Sequence, residues 1–141
     1  MEFRPATQDD LDYVRANPFE GAIKGYPYAQ VPDDNCYTGI HKSIMLGVFG
    51  VQVKWRGVGL LWLMMCSDFK ENIDSGRALL IMKRKIDWLI EKNNLHRAEA
   101  SVRVDFPEAI KMVEFLGFER EGLMKQYFPD KSDGILYAKV I

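Results

Sequence analysis

Four groups of residues in this chain have types that could do chemistry or touch a substrate. His41 and His96 are the two histidines, and neither has a partner at a spacing that would make a metal pair or a nucleophile and base. Cys36 and Cys66 are the two cysteines. They are too few for a disulfide framework and lack metal-ligand spacing, and Cys66 ends an apolar run that suppresses thiolate chemistry. The third group is a polar strand face on which Arg97, Glu99, Ser101 and Arg103 alternate with Ala98, Ala100, Val102 and Val104. There Glu99 could serve a substrate as a base and Ser101 as a relay, or Glu99 could simply pair with Arg97 or Arg103. Tyr26 and Tyr28, set among Pro18, Pro27 and Pro32, are rings that either touch a substrate or pack within a turn.

These residues need elements to hold them. A short strand is predicted over 1–4, then a helix over 8–17 that Thr7 caps, with Asp9 and Asp10 in its positive first turn and Leu11 and Val14 buried. Prolines and glycines over 18–34 predict a loop. Phe49, Val51, Val53 and Trp55 recur at strand period over 45–55, and Arg56-Gly57 turns the chain into a second arm over 58–66. That arm is apolar from Leu60 to Cys66, as in a central strand covered on both faces. Leu79, Met82, Ile86, Leu89 and Ile90 predict a helix over 76–93. The alternating strand of the first paragraph follows. Asp105 and Glu108 then read as a capping arrangement around Pro107, and Gly117 as the stop of the helix carrying Ala109, Ile110, Val113 and Leu116. Two strands over 118–127 and 135–141, joined by a turn, complete the order.

With 141 residues, 48% of them hydrophobic and 28% charged, the expectation is one α/β domain that folds unaided. A net charge of −1 gives no general attraction to nucleic acid, and the apolar run over 58–66 is far short of a membrane span. Two cysteines without a disulfide framework make a reducing cytoplasm the expected setting, and the start of the chain lacks the pattern of a signal peptide.

The order of elements, with the stretch A-I-K-M-V-E-F-L-G-F-E-R-E-G over 109–122, resembles the GCN5-related N-acetyltransferase (GNAT) superfamily. Arg4, Ala6, Asp9 and Asp10 are similar to that family's opening. The resemblance implies a mixed, mostly antiparallel sheet flanked by helices on both faces. It also implies acetyl-CoA bound at a strand-to-helix junction, where a helix N-terminus receives the pyrophosphate. Here the junction spans 66–80, so Lys70, Ser75, Gly76 and Arg77 become the expected phosphate-side contacts, and main-chain N–H groups from Met64 to Cys66 the expected donors to the thioester carbonyl. Glu71 and Asp74 stand where the family pattern has a cation or amide and a glycine, and Asp74 could itself cap the helix. Phe106 and Val113 replace an asparagine and the tyrosine that protonates the leaving thiolate, which leaves Tyr127, beyond Glu121-Gly122, as the replacement acid and Glu99 as the base.

Two functions follow from the resemblance. One is an acetyl-CoA-dependent N-acetyltransferase acting by direct attack on the amine of a protein or small molecule. The other is a catalytically degenerate protein of the same fold, a binding or structural component such as a phage virion protein, for which the four changed positions speak. Either is compatible with a homo-oligomer, and the second with residence in a virion.

Overall fold

The computed structural model describes residues 1–19, 33–72 and 76–141. Over these the elements run β1 (Glu2–Pro5), α1 (Gln8–Ala16), β2 (Cys36–His41), β3 (Ile44–Trp55), β4 (Val58–Met65), α2 (Phe69–Asn72), α3 (Gly76–Lys92), β5 (Arg97–Arg103), α4 (Pro107–Phe115), β6 (Glu119–Met124) and β7 (Gly134–Val140). The strands hydrogen-bond in the order β1-β2-β3-β4-β5-β7-β6, a mostly antiparallel seven-stranded sheet in which β4 and β5 are the parallel pair. By internal contacts the chain divides into two compact units, Met1–Val51 with Trp62–Lys92 and Gln52–Leu61 with Asn93–Ile141.

In the first unit, the Thr7 hydroxyl accepts from the Asp10 N–H and the Asp10 carboxylate accepts from the Thr7 N–H, a reciprocal capping box that starts α1 as predicted. Leu11 and Val14 of α1 pack with Cys36, Val48 and Cys66 on one face of the sheet. On the other face lie Tyr37 and Phe49, and Trp88 of α3 meets the Tyr37 ring edge-on at 5.8 Å. Helix α3 buries Ala78, Met82, Ile86, Leu89 and Ile90, so its stripe begins one residue before the predicted Leu79. Strand β2 was not predicted, because Thr38 and Gly39 interrupt its apolar alternation, yet Thr38 is fully buried between β1 and β3. Gly47 permits the close approach of β3 to β4, since a methyl there would lie 2.5 Å from the Met64 carbonyl oxygen. Most of the predicted 18–34 loop, with Tyr26 and Tyr28, lies outside the described residues.

In the second unit, Gly57 (φ +85°) makes the predicted turn, and its carbonyl accepts from the N–H groups of His96 and Arg97. Val53 and Trp55 continue the strand period of β3 but leave the core, Trp55 being 65% exposed. Ala98, Ala100 and Val102 of β5 are buried, as are Val113 and Leu116, and Gly117 (φ +93°) stops α4. The start of α4 differs from expectation. Phe106 stands at the cap without a side-chain hydrogen bond, Pro107 begins the helix, and the Asp105 carboxylate is drawn back to Arg103 at 2.9 Å. Strand β6 ends at Met124, three residues before its predicted limit. Gln126 takes a left-handed conformation (φ 50°) and its N–H turns to the Asp133 carboxylate, which breaks the ladder.

Candidate functional site

The phase of a strand decides which of its main-chain groups face which neighbour, because successive residues point to opposite edges. Just after β4 the N–H of Cys66 donates to the Leu46 carbonyl at 2.8 Å, and within the strand the Met64 carbonyl lies beside Gly47. The main chains of Met64 and Cys66 are therefore turned toward β3. Leu63 and Met65 turn theirs to the opposite edge, and the β4–β5 ladder itself has three pairs, Val58↔Arg97, Gly59↔Ala98 and Leu60↔Glu99. Within the expected 64–66 stretch Met65 alone turns its main chain to that edge. The unbroken apolar run of β4 carries no mark of edge, so its sequence gave no signal of this phase. The segment after α1 reaches the end of the same edge, with the Phe19 N–H donating to the Met65 carbonyl at 2.9 Å.

Beyond β4, Lys70 and Glu71 fall in the short helix α2, and Glu71 is exposed. Ser75 lies outside the described residues, as does Asp74 with its expected capping role. Gly76 and Arg77 open α3, both exposed, with no acidic residue in the first turn. Those first N–H groups have no acceptor within the helix, and no described residue beyond the chain neighbours lies within 4 Å of where a Gly76 side chain would begin. Over its described turn this end is exposed and free of negative charge, which fits a pyrophosphate. Cys66 is buried and its thiol is pushed up to about 12, first by burial and then by Asp68, so it is inert. Cys36 is likewise buried and raised to about 12, first by burial and then by Asp33.

In the second unit, the polar face of β5 carries a chain of charges. The Glu99 Oε1 accepts from Lys54 Nζ at 2.6 Å and its Oε2 from Arg97 Nε at 2.8 Å. Hydrogen bonding to Lys54 holds the carboxyl below its usual range against the opposing effect of burial, and Arg97 adds to the same direction. Arg97 in turn grips both oxygens of Glu121. Glu121 reaches it because β6 bulges between Arg120 and Gly122, leaving Glu121 as the extra residue. Of the alternatives posed by the sequence, Glu99 takes Arg97 rather than Arg103, and it also takes Lys54, which was not foreseen. Arg103 binds Asp105 and Asp130 instead.

Two residues further along the same face, the Ser101 hydroxyl donates to Tyr127 Oη at 3.4 Å. Tyr127 is 44% exposed and sits in the turn after β6. That turn is held by Asp133 on the Gln126 N–H, Asp130 on Ser132, and the Lys131 N–H on the Phe128 carbonyl. The structure thus brings Tyr127 to Ser101 and pairs Glu99 with two cations, all within one unit. Val113, where the resemblance places an acid, is a core residue at 5% exposure. Among the described residues no three metal-ligating side chains converge, and no helix is long and apolar enough to cross a membrane.

No family model and no curated protein matches the chain. Solved structures do. The chain superposes on Ard1 from Thermoplasma volcanium with a TM-score of 0.77 at 16% identity, covering 99% of this chain and 97% of that one. It superposes on the ribosomal-protein-S18-alanine N-acetyltransferase of Escherichia coli with a TM-score of 0.73 at 20% identity, covering 99% and 93%. A spermidine N-acetyltransferase SpeG mutant from Vibrio cholerae gives 0.73 at 16%, covering 99% and 95%. Similarity at such identity establishes the fold, which is that of the GNAT superfamily.

Proposed function

We propose that this chain is an acetyl-CoA-dependent N-acetyltransferase that passes an acetyl group directly to the amine of a small molecule or a protein. The observation that carries this reading is that Leu63 and Met65 turn their main chains to the edge of β4 away from β3, in the same compact unit as the exposed start of α3 at Gly76. Bound acetyl-CoA would supply a thioester carbonyl open to attack by an amine. The N–H groups of Leu63 and Met65 hold and orient amide and carbonyl oxygens along that edge. Gly76 and Arg77 receive phosphate at the start of α3, with Lys70 and Ser75, which precede them in the chain, as the further expected contacts. Tyr127, kept in place by Ser101 and its braced turn, holds a proton at Oη for a leaving thiolate. Glu99 is the carboxylate that receives the amine. As the new N–C bond forms and the C–S bond breaks, the amine gives up one proton and the thiolate takes one.

The second reading, a protein of the same fold that binds or assembles without catalysis, for instance in a phage virion, is favoured by the burial of Val113 and by the commitment of the Cys66 N–H to Leu46. Calorimetric titration with acetyl-CoA and with CoA separates the two. Transfer requires heat of binding, with Glu71→Arg and Asp74→Gly tightening it several-fold by removing negative charge before α3. The absence of heat and of a thermal shift at millimolar ligand would leave the second reading standing. Binding that neither substitution alters would place the pyrophosphate elsewhere.

A further inference from the structure

Glu99 stands between two cations of different kinds. Arg97 is locked: its Nε is on Glu99 Oε2 at 2.8 Å, and both terminal nitrogens are on the Glu121 carboxylate, a planar fork that fixes the guanidinium. Lys54 is not. Its ammonium makes a single contact with Glu99 Oε1 at 2.6 Å, its side chain is 38% exposed, and it comes from the end of β3, where residues 52–56 are all exposed. Beside Glu99 on the neighbouring strand β7 the paired residue is Ala138, which brings no further charge to the carboxylate.

We propose that Glu99 Oε1 is a binding site for an external primary alkylammonium, and that Lys54 is its resident internal occupant, displaced when such an amine arrives. The Glu99 carboxylate keeps its orientation through Arg97 while one oxygen is presented to a terminal ammonium on a flexible methylene stem. Exchange of one ammonium for another preserves the charge, the hydrogen bond and the geometry, so the barrier to displacement is the tether of Lys54. An exposed ion pair of this kind is worth up to about 1 kcal/mol, so removing Lys54 should strengthen external binding roughly fivefold. The ligand class is an unbranched primary amine, such as a lysine side chain or an aliphatic diamine. An aromatic amine carries no ammonium charge at neutral pH to replace that of Lys54. The identification of this ligand as an acetyl acceptor rests on the acetyltransferase reading, whereas the binding does not.

Calorimetry with N-α-acetyl-lysine methylamide, without acetyl-CoA, tests it on the full chain. Lys54→Met should bind the probe about five times more tightly than the wild type, and Lys54→Gln should do the same. Lys54→Met combined with Glu99→Gln should lose the gain, and the norleucine analogue of the probe, which lacks the ammonium, should not bind. Equal affinity in wild type and both Lys54 variants would overturn the displacement. Undiminished binding in the double variant, or binding of the norleucine analogue, would overturn Glu99 as the site. Amine binding without acetyl-CoA binding would remove the transfer reading and leave this one intact, and the converse result would do the reverse.

Discussion

Asp10 and Glu99 are both carboxylates held by a basic side chain, and their exposures hardly differ. The Asp10 side chain is 10% exposed beside an Arg4 that is 44% exposed, and Glu99 is 14% exposed beside a Lys54 that is 38% exposed. What separates them is the source of their other donors. Asp10 accepts from the Thr7 N–H at 3.0 Å and from the Thr38 hydroxyl at 2.8 Å, besides two contacts from Arg4 at 2.6 and 2.9 Å. Two of these donors are fixed to a helix cap and to a fully buried strand residue. Glu99 accepts from two long side chains and from no main-chain or hydroxyl donor in the contacts it makes. A carboxylate closed by the fold stabilises the fold, whereas one closed by a mobile side chain can be reopened by a competitor.

The largest test of that contrast is Asp10→Ala. It removes the capping box and orphans the buried Thr38 hydroxyl, while Arg4 can return to water. Together these should lower stability by about 3 kcal/mol, measured as a shift in the urea midpoint. A loss within error of zero would show that the Asp10 cluster is not the closed site described here.

Acid titration offers a somewhat smaller effect from the same residue. Burial alone would raise the Asp10 carboxyl, but Arg4, the Thr7 N–H and the two hydroxyls together hold it down at about 2. A carboxyl whose folded value lies below its unfolded value contributes stability that is complete above the unfolded value near 4 and is lost as pH falls through the folded one. Over that window the contribution is about 2 kcal/mol. Stability measured from pH 5 to pH 2 should therefore fall more steeply in the wild type than in Asp10→Asn. Parallel slopes would assign the acid sensitivity to other carboxylates.

Much of this was legible in the sequence because it depends on local rules. The Thr7 cap, the Gly57 turn, the Gly117 stop and the buried alternation of β5 each follow from one residue type in one backbone state. The features that escaped depend on partners distant in the chain. Lys54 reaches Glu99 across 45 positions, and Asp10 finds Thr38 across 28. Strand β2 hid behind Thr38, a polar residue whose burial makes sense only once Asp10 is seen to accept from it. Asp105 looked like a cap, and the nearer guanidinium of Arg103 outcompetes the helix for it. In β4 the same apolar letters serve both edges, so it takes the bonds from Cys66 to Leu46 and from Phe19 to Met65 to reveal that Leu63 and Met65 face away from β3.

The smallest expected effect is the sharpest check on the comparison. Glu99→Gln keeps the shape of the side chain and removes its charge, leaving Lys54 to water and Arg97 to Glu121. Because no fold-bound donor is orphaned, the change in stability should stay within about 1 kcal/mol, the range of exposed ion pairs. A double-mutant cycle between Lys54→Met and Glu99→Gln should give a coupling of about 1 kcal/mol that shrinks in 1 M salt, as expected for charges in contact with water. A loss as large as that of Asp10→Ala would make Glu99 a structural carboxylate whose bond to Lys54 belongs to the fold. Displacement by an external amine would then require partial unfolding, and the contrast between a closed and a reopenable carboxylate would collapse.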